Sequence, residues 1–142
     1  MFRYALSVVL GILCVCGAAP AQFPHALKFM GATVMPNSNI VFSVGNKAPK
    51  TDAEWTAVLN SAANLSAGAP QLMPMGPDTG REAWVTFTDA LGVGSREAVA
   101  AAKARNVDAV LSAGDAIYEA CEGCHAAYMK KGSSGESVGR FR

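Results

Sequence analysis

Near its C-terminal end the chain reads Cys121-Glu122-Gly123-Cys124-His125. This C-x-x-C-H spacing is the pattern to which c-type haem is attached covalently. On a helix, Cys121 and Cys124 project from the same face, where each thiol can add to one vinyl group of a porphyrin. His125 lies one helical turn after Cys121, so its imidazole can reach the iron as the proximal ligand. We therefore interpret Cys121 and Cys124 as thioether positions and His125 as the proximal axial ligand.

Residues 1–21 have the organisation of a cleaved secretory signal peptide. Arg3 precedes an apolar run over 5–16, and the segment ends in Ala19-Pro20-Ala21. The apolar run is shorter than the roughly 20 residues that a membrane-spanning helix needs. We expect cleavage after Ala21, export to the periplasm and no integral membrane span in the mature form. Two of the four cysteines, Cys14 and Cys16, would leave with this segment.

The chain left by this cleavage carries no net formal charge. The whole sequence has 12 Lys and Arg against 11 Asp and Glu, and losing Arg3 leaves 11 of each. Without a basic stripe for phosphates, nucleic acid is not indicated as a partner. The remaining length suits one domain, which we assign to residues 22–131, with 132–142 as a flexible C-terminal tail.

Hydrophobic periodicity predicts helices and no strand. The first helix is expected over about 25–45, with a kink at Pro36 or two shorter helices meeting at 37–39. A second helix is expected to begin at Thr51, because Thr51 and Glu54 form a capping box. Gly, Pro and Met are frequent over 68–80, so we expect that segment to be irregular.

Two further helices complete the predicted set. They span about 81–105 and 106–131, and Gly92 and Gly94 are expected to weaken the middle of the first of them. Four helices with short connections predict an all-α, antiparallel four-helix bundle, in which a cofactor is held between facing helices. The haem would then be attached to the C-terminal helix.

These features together resemble a class II c-type cytochrome, the cytochrome c-prime family with its low-spin relatives. The resemblance covers essentially the whole mature chain and depends on the position of the haem motif, within 118–128, so near the C-terminus. It implies one covalent haem c with its iron, and single-electron transport between periplasmic redox proteins as donor and acceptor. It implies no enzymatic activity. Many members of the family pair as homodimers, so a homodimer is compatible with it.

The resemblance also implies where the sixth iron ligand would come from. The low-spin relatives that the chain resembles supply a distal methionine from the first helix, which here implies Met30. Met35 is the competitor. In a regular α-helix the two side chains are roughly 140° apart, so we expect only one to face the haem. Met129 follows His125 by one turn on the same helix and cannot cross to the distal side.

The sixth position separates two functions within the haem interpretation. With Met30 bound, the protein is an electron carrier. With the position open, the iron is five-coordinate and would bind NO or CO, as in cytochrome c-prime.

Two interpretations outside haem chemistry are disfavoured. A thioredoxin-like site needs its first cysteine at a helix N-terminus after a strand, whereas Cys121 lies late in a predicted helix. A zinc site needs a fourth ligand, for which the mature chain offers only His25.

Overall fold

The computed structural model describes residues 23–129, which form helices and no strand. The first helix has three consecutive parts: α1 (Pro24–Phe29), a π-helical turn (Met30–Val34) and α2 (Met35–Ser43). The other three helices are α3 (Asp52–Leu72), which runs into a 3-10 turn (Met73–Met75), α4 (Arg81–Lys103) and α5 (Val107–Tyr128). The all-helical prediction is confirmed for the described residues, and the four helices are compatible with a helical bundle. The predicted signal peptide and the tail 132–142 lie outside the described residues.

The first helix is continuous through Pro36, and its irregularity lies one turn earlier than predicted. Pro36 has no N–H to donate, and in a regular α-helix its ring would clash with the carbonyl of Ala32. The π turn inserts one extra residue just before the proline and so accommodates it. Its i→i+5 bond runs from the Met35 N–H to the Met30 carbonyl. The prediction of two helices meeting at 37–39 is therefore wrong, since those residues are helical.

The start of α3 confirms the capping box. The Thr51 hydroxyl accepts a hydrogen bond from the Glu54 N–H at 3.2 Å, and the Glu54 carboxylate accepts one from the Thr51 N–H at 3.0 Å. Lys47 pairs with the same carboxylate at 2.9 Å. The reciprocal bonds satisfy two N–H groups that the first turn would otherwise leave without partners.

The end of α3 corrects the prediction that 68–80 is irregular. The helix continues to Leu72 with Pro70 in its last turn, and only the residues after the 3-10 turn leave helical structure. Gly68, Ala69 and Leu72 are buried, and the Phe29 ring lies against Gly68. Burial of this turn against the first helix outweighs the local cost of Gly and Pro in a helix.

Each helix contacts the next, and α5 contacts the first. One pair of residues illustrates each contact: Phe29 with Gly68, Ala69 with Gly92, Gly94 with Ile117, and Tyr118 with Phe42. α4 is unbroken at its two glycines, because both are buried where a neighbouring helix comes close. A Cβ at Gly94 would lie 3.2 Å from the backbone nitrogen of Ile117. Close approach of α5 is thus the reason for glycine there.

Among residues 23–129, no helix combines the length and the apolar character needed to cross a membrane.

Candidate haem-attachment site

α5 carries the motif on its last two turns, as the sequence predicted. Asn106 caps the start of the helix, since its side-chain oxygen accepts a hydrogen bond from the Ala109 N–H at 3.0 Å. The helix continues without a break through the motif, and the Met129 N–H closes the last turn on the His125 carbonyl at 2.8 Å. Both cysteines are free thiols. The helix therefore presents two thiols and one imidazole within five consecutive residues.

One side of the motif is filled by α4. A Cβ built on Gly123 would lie 2.5 Å from Cε1 of Phe87, so the phenyl ring already occupies that space. At about 100° per residue, Gly123 points roughly 160° away from both Cys121 and His125. A cofactor held by these two residues must therefore lie on the side of α5 that is remote from Phe87.

That remote side faces the first helix. Gly114, Tyr118, Cys121 and His125 follow the four-three-four spacing of one helical stripe. Phe42 packs on the first two, since its Cδ1 lies 3.7 Å from the Cβ position of Gly114 and its ring meets Tyr118 edge to face at 6.3 Å. Cys121 and His125 continue this stripe towards the C-terminus, so they lie alongside the first helix.

A second aromatic contact lies at the other end of the motif. The Phe23 ring meets Tyr128 edge to face at 6.2 Å between centroids, and the Tyr128 hydroxyl donates to the Gly80 carbonyl. Phe23 and Phe42 thus join the first helix to α5 on either side of the motif. This pair was not predicted from the sequence, although one aromatic residue just before the predicted first helix and another near its end were a visible signal.

Between the two aromatic contacts the first helix leaves apolar side chains open to solvent. Leu27 is 56% exposed and Met35 is 55% exposed, and nothing lies within 4 Å of the Cβ position of Gly31. We call this surface the motif face. It is formed by Leu27, Met30 and Met35 of the first helix and by Cys121 and His125 of α5.

The two sulfur candidates for the sixth ligand both belong to the motif face. Met30 is half-buried and packs on the same buried core as Cys121, whereas Met35 is exposed. Met35 precedes Phe42 by seven residues within α2, about two helical turns, which places Met35 on the side of the first helix that contacts α5.

The expectation that only one methionine can face the haem is wrong in its premise. It assumed a regular α-helix between residues 30 and 35, but the π turn takes up one residue. Across the turn the chain therefore rotates by about as much as four α-helical steps of roughly 100° each. This is one full turn plus roughly 40°, so the two side chains are roughly 40° apart around the helix.

Cys124 points from the motif face into a second, smaller apolar cluster. It is 8% exposed and packs with Ala26 and Trp84, and the cluster is bordered by Phe23, Met75, Phe87 and Tyr128. The Trp84 indole N–H donates to the buried Leu72 carbonyl at 2.8 Å, which fixes the ring beside the cysteine. Cys124 is therefore buried among apolar groups, whereas Cys121 is only half-buried at the motif face.

Burial changes the acidity of both thiols. The pKa of Cys121 is raised to about 11, first by burial and then by the neighbouring Cys124, and burial also raises the pKa of Cys124. A thiol that attacks disulfides needs a lowered pKa. The environment of both thiols therefore also opposes the thioredoxin-like interpretation, which the position of Cys121 in the sequence already disfavours.

The described residues offer little to a zinc ion. Within residues 23–129, no group of three His, Cys, Asp or Glu side chains is arranged to hold a metal. His25, the fourth ligand considered above, is exposed at the start of α1 and lines an open hollow of about 420 Å³ with Met75 and Asp78.

The motif residues are of the types that hold a c-type haem. Two free thiols and an imidazole lie at the required spacing on one helix, and the surface beside them carries exposed apolar side chains. An apolar macrocycle would cover Leu27 and Met35, and a thioether would be available from the opposite helix.

Comparison with known proteins adds no assignment. The chain matches no protein-family model, and no curated protein or solved structure is significantly similar to it. A function is therefore inferred from the chemistry of the motif residues and from their placement in the fold.

Proposed function

We propose that this protein is a c-type cytochrome that carries single electrons. The observation that supports the proposal is the C-x-x-C-H motif on α5, whose Cys121 and His125 continue the stripe that packs on Phe42. When bound, the haem supplies one-electron redox chemistry at its iron. Cys121 and Cys124 would hold it through thioethers, and His125 would be its proximal ligand.

The proposed architecture is an antiparallel bundle with the haem between α5 and the first helix. The order of contacts supports it: early Phe23 meets late Tyr128, whereas late Phe42 meets the earlier Tyr118. α4 and α5 follow the same reversed order, since Phe87 lies against Gly123 and Gly94 lies against Ile117. Such an arrangement would bring a ligand of the first helix opposite His125.

Met30 is the proposed distal ligand. It is half-buried, packs on the same core as Cys121 and belongs to the motif face. A thioether as sixth ligand closes the iron to small gases and raises the reduction potential, which suits an electron carrier.

Electron exchange would occur where the motif is most accessible. His125 is exposed, Tyr118 is 50% exposed and Met129 is 39% exposed, so a haem edge on this side would be open to another protein. Redox partners make small, short-lived contacts of this kind. The partners implied are periplasmic redox proteins, in keeping with the signal peptide predicted over 1–21.

The alternative is a five-coordinate haem protein that binds NO or CO. The openness of the motif face favours it, because Leu27 and Met35 are exposed beside the site. The same surface therefore supports either function, and the occupancy of the sixth position decides between them.

The test is production of the full chain in a host that attaches c-type haem, followed by mass and absorption measurements on the mature protein. We expect a mass increase of one haem that survives denaturation, and a low-spin spectrum that CO does not change. Cys121→Ala/Cys124→Ala should lose the covalent haem, whereas Met129→Leu, a matched control on the proximal side, should keep both properties.

Other outcomes separate the two functions from failure. A high-spin spectrum that shifts with CO would replace the electron carrier by the gas-binding alternative. Absence of covalent haem from the unaltered chain, with the maturation of a control cytochrome intact, would refute both.

A further inference from the structure

The π turn of the first helix lies between the two methionines of the motif face. Its i→i+5 hydrogen bond joins the Met35 N–H to the Met30 carbonyl, so the two candidate ligands are the two ends of the turn. π turns of this kind are rare within α-helices and are found frequently at functional sites. The position of the turn therefore suggests that it serves the methionines as well as the proline.

The turn changes which way Met35 points. With about 40° between the side chains, both thioethers lie on the side of the helix that faces α5. Counted as four α-helical steps of about 1.5 Å each, they are separated by roughly 6 Å along the axis. They differ in burial, since Met30 packs on the core and Met35 is 55% exposed. Met30 is thus held in place, while Met35 is free to move over the same surface.

Neighbouring contacts fix the turn in this form. Pro36 prevents a regular α-helical bond to Ala32, and the Asn37 side-chain amide donates to the Thr33 carbonyl at 2.7 Å. The Asn37 side-chain oxygen in turn accepts a bond from Asn64 of α3 at 3.1 Å. The turn is therefore tied to a second helix, and its extra residue is kept.

We propose that the π turn makes Met35 a second thioether ligand, which occupies the sixth iron position when Met30 is absent or displaced. This inference depends on the proposed haem function. It gives Met30 the resident role and Met35 the replacement role, in one site on one face of the first helix. The iron would then keep a thioether ligand even when Met30 is substituted or displaced.

The test compares holoprotein variants Met30→Leu, Met35→Leu and the double variant, with Met75→Leu as a control thioether outside the motif face. Each is measured by its oxidised absorption spectrum and by CO titration of the reduced form. We expect both single variants and the control to stay low-spin, and only the double variant to become high-spin. If Met35 is bound about 99% of the time in Met30→Leu, its apparent Kd for CO is about 100-fold higher than that of the double variant.

A second pair of variants tests the role of the turn itself. Insertion of one alanine after Ala32 in the Met30→Leu background adds a further helical step between residue 30 and Met35, which rotates Met35 by about 100° relative to residue 30. That variant should become high-spin, whereas Gly31→Ala in the same background, which keeps the residue count, should remain low-spin. Far-UV circular dichroism checks that both remain helical.

The outcomes distinguish this inference from the proposed function. If Met30→Leu is as high-spin and binds CO as tightly as the double variant, Met35 is no ligand and the inference is overturned while the cytochrome stands. If the unaltered protein is already high-spin, neither methionine binds and the inference is again overturned. If no covalent haem forms on the unaltered chain, it is the proposed function that fails, and the inference fails with it.

Discussion

Substitution of Gly123 by alanine tests which side of α5 is available to a cofactor. In the structure the Cβ of an alanine would lie 2.5 Å from Cε1 of Phe87, whereas ordinary contacts begin at 3.4 Å. The ring edge must therefore move by 3.4 minus 2.5, or 0.9 Å. Forcing an extra carbon into a packed contact costs roughly 1–3 kcal/mol. Alanine recovers about 1 kcal/mol over glycine in a helix, so the expected net loss is about 1 kcal/mol.

The sign of this effect should reverse when the ring is removed. In a Phe87→Ala background the clash is gone, and Gly123→Ala should stabilise the protein by about 1 kcal/mol. The coupling between the two sites is then about 2 kcal/mol. Gly31→Ala is the matched control, because nothing lies within 4 Å of its Cβ position and only the helix preference remains.

The free energies of unfolding are measured by urea titration of the four variants of the cycle and the control. Equal effects of Gly123→Ala in both backgrounds would mean that Phe87 does not pack on this side of the motif. Packing of α4 would then no longer confine the proposed haem to the opposite side of α5, beside the first helix.

Three further predictions concern the scaffold. The pKa of Glu54 is lowered to about 2, chiefly by the hydrogen bond from Lys47 and then by the N–H groups of Lys50 and Thr51. Because its folded pKa lies below the ordinary value of 4.5, Glu54 stabilises the fold above pH 4.5, and this contribution is lost as the pH falls towards 2. Over that interval the urea midpoint of Glu54→Gln should therefore fall less than the midpoint of the unaltered protein. An equal fall in both midpoints would contradict the lowered pKa of Glu54. Trp84→Phe leaves the buried Leu72 carbonyl without its hydrogen-bond donor and should lower the free energy of unfolding in urea by about 1–3 kcal/mol. Tyr118→Phe, a control at an exposed site, should change the free energy of unfolding by less than about 0.5 kcal/mol. Asn106→Ala removes the N-cap of α5 and should cost about 1 kcal/mol; an unchanged midpoint would show that this cap does not contribute.

Local rules were sufficient for much of the fold. The capping box at Thr51 located the start of α3, and the starts of α4 and α5 agree with the predicted boundaries to within one residue. These features depend on interactions between residues that are close in sequence, so a single chain segment contains the information. The spacing of Cys121, Cys124 and His125 on one helix is of the same kind.

Two parts of the fold were predicted wrongly, for one reason. Gly68 and Pro70 disfavour a helix locally, yet α3 continues because its last turn is buried against Phe29. Pro36 disrupts regular hydrogen bonding, yet the first helix continues because one extra residue is taken into a π turn beforehand. In both cases packing of the surrounding helices outweighs a local preference, and periodicity alone does not contain that energy.

The sequence by itself determined the helical class, the motif and the residue types that suit haem, because thiol spacing and helix capping are local properties. Only the tertiary structure decided that α4 fills the Gly123 side of α5 and that Phe23 and Phe42 bring the first helix to the other side. It also decided that Met30 and Met35 share one face, since the direction of a side chain after a π turn depends on how the proline and α3 fix that turn. Such choices depend on contacts between residues far apart in the chain, which spacing along the sequence does not encode.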